Sequence, residues 1–233
     1  MTAISNGSFS KNKLMDLMPL PYWESRFPKT RGPGPDVDAA SNALMQGCRA
    51  VGKFMPRNVR GAGVWQDQKQ TVVNLGDSLW VDGELKEYRE FKSKYIYQAA
   101  DRISAPREDY ATEKYIKALA DLIKKLSWKK PAHPILLIGW LMTAVVNGSL
   151  RWRPHIWITG PSGSGKTTVM QDIIGKLFGD HATKIMGRST EAGIRQSVAS
   201  DARPLLFDEN ETTDKRSEGR VASVIELFRQ ASS

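Results

Sequence analysis

The chain has 233 residues, of which 40% are hydrophobic, with one cysteine and a net charge of +9. That length and apolar share suit one sizeable domain or two modest ones and exclude a low-complexity or collagen-like chain. A single cysteine, Cys48, leaves no intrachain disulfide partner, so it is expected as a small residue at least half buried, with the cell interior as the expected compartment.

The first twenty residues mix Ser, Asn, Lys and Asp without an apolar block, so no secretory leader is expected. The most apolar run, 135–146, is shorter than the roughly 20 residues that a membrane-spanning helix needs, and no membrane partner is expected. His133, His155 and His181 stand apart from Cys or carboxylate neighbours at ligand spacing, which favours packing roles over a zinc site. Residues 1–130 carry +7 of the +9, so the basic surplus lies mostly in the first part of the chain. Such a surplus fits a polyanionic partner or a solvated basic face.

In chain order, residues 1–35 are polar and end in Arg31-Gly32-Pro33-Gly34-Pro35, which reads as a flexible extended arm. Residues 36–108 read as a small α+β domain. Val37, Ala40, Leu44, Cys48 and Val51 recur at helical steps between Asp36 and about Phe54, with Asp36 as N-cap. A β-meander follows, with short runs at Thr71–Leu75 and Leu79–Val81 broken at Gly76-Asp77 and Asp82-Gly83. Residues 109–150 read as helical. Tyr115, Leu119, Leu122, Ile123 and Leu126 share one face of a helix over 109–126, with Lys114, Lys117, Lys124 and Lys125 elsewhere on it as a solvated or binding face. Pro131 and Pro134 separate it from an apolar helix at 135–147, which Gly148 ends.

Residues 151–233 hold the chemistry. His155–Thr159 is a short apolar strand candidate, leading into Gly160-Pro161-Ser162-Gly163-Ser164-Gly165-Lys166-Thr167 and a helix through Thr168, Val169, Ile173, Ile174, Leu177 and Phe178. This is the order that a phosphate-binding P-loop requires. The glycines let successive backbone N–H groups turn inward, the helix start adds its positive dipole end, and Lys166 is expected on the β- and γ-phosphates. Thr167 is expected on Mg²⁺. Pro204-Leu205-Leu206-Phe207-Asp208-Glu209, whose Asp208 lies 42 positions after Lys166, supplies a buried strand ending in acids. Asp208 is expected to hold Mg²⁺ through its water shell, and Glu209 to polarise the attacking water. Adjacent acids of this kind point to ATP hydrolysis coupled to mechanical work. Glu211 and Asp214 read as surface charges.

The run from Trp152 to Thr167, together with Thr190-Glu191-Ala192-Gly193-Ile194-Arg195-Gln196 and Leu206-Phe207-Asp208-Glu209, resembles the ATPase part of phage and prophage primase-helicases. That family is similar to the superfamily-3 helicases of the AAA+ group, and the likeness extends to the meander at 73–83. The resemblance implies an α/β P-loop core and a ring-forming, hexameric ATPase that moves along DNA in the cytoplasm of a bacterial or phage-infected cell. It also implies that residues 109–150 match a helical collar. Arg195 lies where this family does not place an arginine finger. Only one helix, through Val224, Ile225, Leu227 and Phe228, follows the acids, so a core truncated at its carboxyl end is expected, with the sensor strand, edge strand and arginine finger beyond Ser233. Two rivals stay open: a regulatory P-loop ATPase that does not translocate, and an inactive remnant that still binds ATP or DNA. Arg57, Arg60, Lys92 and Lys94 are the candidate nucleic-acid contacts.

Overall fold

The computed structural model describes residues 10–52, 55–107, 109, 111–186, 189–208 and 215–231. The chain divides into two compact units between Pro56 and Arg57.

The first unit is helical. Ser10 caps α1 (Lys11–Met15), α2 (Leu20–Arg26) opens with a proline in its first turn, and Asp36 Oδ1 accepts from Ala39 N at 2.9 Å to cap α3 (Val37–Val51). Leu14, Trp23 and Ala40 form the core, with Leu17, Phe27, Val37 and Leu44 packed around them. The Trp23 indole donates to the carbonyls of Leu14 and Met18 at 2.8 and 2.9 Å, so its one polar atom is satisfied without water. Residues 10–35, expected as an extended arm, thus contribute two helices and the central tryptophan of this core. Their Gly-Pro run is a closed loop, with Pro28 bridged to Pro35 and Asp36 N bonded to Phe27 O at 2.7 Å. Cys48, expected at least half buried, is exposed.

The second unit opens with small sheets. β1 (Val59–Arg60) pairs in parallel with β6 (Ile96–Tyr97), while β2 (Gly63–Asp67), β3 (Gln70–Asn74), β4 (Leu79–Val81) and β5 (Glu84–Lys86) form an antiparallel meander in chain order. The register sets Val72 opposite Val81 and Trp80 opposite Leu85. Alternation along β3 sends Val73 to one face, with Ala62, Val64, Leu75 and Ile103, and Val72 to the other, with Leu79 and Val81. Both faces of the meander are therefore covered.

Next, α4 (Glu113–Lys124) packs on α5 (Ala132–Ala144) through Ile123 and Leu137, and Leu141, Ala144, Val169, Ile174, Phe178, Ala182 and Leu206 extend this core. Pro134 lies in the first turn of α5, where a missing N–H costs nothing, so the helix starts earlier than expected. It ends at Ala144, and Gly148 belongs to a separate 3-10 turn, Asn147–Ser149. α5 contains no Asp, Glu, Lys or Arg, yet only one side of it is packed: Ile135, Leu136 and Met142 are 64–69% exposed.

The remaining elements are a π-helix, Thr168–Ile174, then α6 (Gly175–Phe178), β7 (Thr183–Met186), α7 (Glu191–Val198), β8 (Leu205–Asp208) and α8 (Lys215–Ala231). β7 and β8 form a two-stranded parallel sheet, with Thr183 opposite Leu205 and Met186 opposite Asp208. Ile185, Ile194, Val224 and Leu227 pack together against it. The chain is thus mixed α/β, and none of its described helices is long and apolar enough to cross a membrane.

The loop before β8 is fixed to the small sheets. Gly61 N donates to Ser200 O and Ala202 N to Ala62 O, each at 2.8 Å, and Asp201 Oδ1 accepts from Ala62 N at 2.9 Å. Asp201 is also paired with Arg203 at 2.6 Å. A side chain at Gly61 or Gly148 would collide with this loop.

Candidate phosphate and metal site

Residues 155–159 alternate as a strand would: Ile156 and Ile158 pack on the core that holds Leu137 and Leu206, while His155 and Trp157 are exposed. They form no ladder, however. Among the described residues β8 pairs with β7 alone, and no strand lies beside 155–159. The expected strand is corrected to a segment positioned by two inward isoleucines and by the His155 ring stacked on Phe228 at 6.1 Å. Alternation requires only one apolar face, whereas a ladder requires a neighbouring strand about 4.8 Å away. Although the residue as a whole is exposed, partial desolvation of its ring, helped by the nearby Arg153 charge, holds the His155 imidazole below its ordinary pKa of 6.5.

The glycine-rich segment turns at Pro161, whose carbonyl accepts from Ser164 N at 3.2 Å. Gly163 and Gly165 have φ of 72° and 86°, the left-handed region that favours glycine. The helix begins at Lys166, and the N–H groups of Gly163, Gly165, Thr167 and Thr168 have no acceptor among the described residues. Unsatisfied donors at the positive end of a helix form a ready cradle for phosphate oxygens. Lys166 Nζ turns back on the loop and donates to the carbonyls of Gly160 at 2.9 Å and Pro161 at 3.0 Å. Ser162, Thr167 and Thr168 are exposed.

Beyond Thr167 the helix winds as a π-helix, closed where Gly175 N donates to Met170 O. Wide turns of this type cluster at functional sites. Its Gln171 Nε2 donates to Asp208 Oδ2 at 2.9 Å, tying the helix of the glycine loop to the end of β8. Thr167 lies four residues before Gln171, at the start of the π-wound segment. Glu209, Glu211 and Asp214 lie outside the described residues.

Among the described residues no three His, Cys, Asp or Glu side chains gather as a metal cage. Mg²⁺ does not ask for one, since it takes one or two protein oxygens and completes its shell with phosphates and water. The Thr167 hydroxyl and the Asp208 carboxylate fit that requirement. Arg195 is paired with Glu191 on its own helix at 2.9 Å.

Of the candidate nucleic-acid contacts, Arg57, Lys92 and Lys94 are exposed. Arg60 is buried: its guanidinium lies 3.3 Å from the centre of the Tyr95 ring and 5.1 Å from that of Trp65, and it donates to the Tyr97 hydroxyl at 3.1 Å. Asp67, 2% exposed, faces Arg60 at 4.0 Å and accepts from Ser93 and Tyr97. Burial, against the lowering influence of Arg60, pushes the Tyr97 hydroxyl above its ordinary pKa. Arg60 is therefore corrected from a surface contact to the centre of an internal aromatic and acidic network.

Comparison with protein-family models, with curated proteins and with solved structures finds no match. What the chain does has to be read from its own residues. Sequence reasoning missed Gln171, whose partner lies 37 positions further on; the signal was its four-residue spacing from Thr167. It also missed the inward turn of Arg60, which Trp65, Tyr95 and Tyr97 signalled.

Proposed function

We propose that residues 160–168 and Asp208 form the ATP and Mg²⁺ site of a P-loop ATPase of the AAA+, superfamily-3-helicase type, the motor core of a phage-type replicative DNA helicase. The observation that carries this reading is the Gln171–Asp208 bond at 2.9 Å, because it makes one site of two motifs found separately in the sequence. In this reading Lys166 exchanges the Gly160 and Pro161 carbonyls for β- and γ-phosphate oxygens, and the N–H groups of Gly163 and Gly165 hold the remaining charge. Thr167 and Asp208 would hold Mg²⁺, which would supply charge neutralisation at the transferred phosphoryl group. Glu209 takes the proton of the attacking water. DNA, a hexameric ring of copies and the cytoplasm of a bacterial or phage-infected cell belong to this proposal.

Measuring nucleotide affinity and DNA-stimulated ATP turnover tests it. Lys166→Ala should remove most ATP binding, and Glu209→Gln should keep binding while suppressing hydrolysis; equal ATP affinity in Lys166→Ala and parent sinks the assignment. A second reading, ATP binding without turnover, is favoured by the absence of any described ladder at 155–159 and by Lys166 lying on its own loop. Turnover that DNA stimulates eliminates it.

A further inference from the structure

We propose that Gln171 is a positioning residue for the metal, one that fixes the Asp208 carboxylate in the rotamer that receives Mg²⁺; this rests on the ATP-site reading above. The side-chain amide donates to Asp208 Oδ2 at 2.9 Å, while Oδ1 has no hydrogen-bond partner among the described residues. The carboxylate is therefore held by one oxygen and presents the other. An amide suits this task, since it satisfies one carboxylate oxygen without bringing a charge that would compete with the cation. The scaffold is specific as well. Gln171 belongs to the π-wound segment that starts directly after Thr167, so the metal's two protein ligands and their holder lie on one helix and on the strand end that it touches.

The bond is solvent-exposed. Replacement by Met keeps length and helical preference while removing the donor, and Ala removes the side chain altogether. The experiment titrates Mg²⁺ into each variant with a fluorescent ATP analogue as probe, and repeats the nucleotide titration in EDTA. Q171M and Q171A should raise the Mg²⁺ midpoint about tenfold, as loss of an outer partner of a metal ligand does. Affinity in EDTA should stay within about twofold of the parent, and Q171M should add nothing in an Asp208→Asn background. An unchanged midpoint in both variants overturns the proposal and leaves the ATP site standing. A midpoint that shifts only as much as affinity in EDTA shows a purely structural role and overturns it too. If the parent binds no nucleotide with or without Mg²⁺, the ATP-site reading falls and takes this proposal with it.

Discussion

Gly148→Ala probes the joint between the small sheets and the loop that leads to Asp208. A methyl group there would sit 2.5 Å from Val64 O and overlap the methyl of Ala202. Neither neighbour is free to yield: Val64 is held in the meander opposite Val73, and Ala202 is pinned by its N–H to Ala62 O at 2.8 Å. Overpacking of this kind costs about 1–3 kcal/mol, and two fixed partners put the expected loss at about 2–3 kcal/mol. In a unit of this size that lowers Tm by about 4–12 °C. Gly139→Ala is the matched control, since nothing lies within 4 Å of a methyl group at that position inside α5. Removing a glycine from a helix interior should stabilise by about 1 kcal/mol and raise Tm by about 2–4 °C. Circular-dichroism melts and urea midpoints at constant slope read both variants. If Gly148→Ala melts with the parent, or if both substitutions move Tm in the same direction, the joint is not the tight contact described.

Two further outcomes are expected. Because the folded His155 pKa lies below 6.5, the unfolded chain takes up the proton first as pH falls, so stability is lost below about pH 6.5. His155→Phe, which keeps a ring on Phe228, should lose less Tm between about pH 7.5 and about pH 5.5 than the parent; parallel losses would exclude this origin. If DNA binds, the Lys92→Ala, Lys94→Ala double variant should weaken it and reduce the salt slope by about 2, whereas Arg60→Ala should lower Tm and leave the slope alone. An Arg60→Ala variant with parental Tm and a reduced slope would show that its guanidinium reaches the phosphates after all.

Local patterns were the legible part of the sequence. The Asp36 cap, the α3 stripe and the Asp82-Gly83 turn follow from neighbours a few residues apart, and the structure has each of them. The glycine loop was legible because its left-handed glycines are written directly into the chain. Contacts across long separations were not. Leu14, Trp23 and Ala40 make one core from three helices, and no period announces such a cluster when prolines interrupt the short helices that supply it. The 155–159 segment misled because alternation reports a buried face and says nothing about a hydrogen-bonded neighbour. Arg60 misled because charge count treats every arginine as solvent-facing, whereas three aromatic rings and a buried aspartate draw this one inward.

The uncharged helix α5 gives salt two opposite effects on this molecule. If Ile135, Leu136 and Met142 of two chains were to meet, no Asp, Glu, Lys or Arg on that helix would keep them apart. What opposes the encounter is the +9 of the whole chain, a repulsion that reaches about 10 Å in 0.1 M salt and about 3 Å in 1 M. Raising ionic strength removes the repulsion and leaves the apolar attraction in place. Concentrated solutions should then be clearest in dilute buffer and turbid in strong salt, while any complex with a polyanion should come apart over the same range.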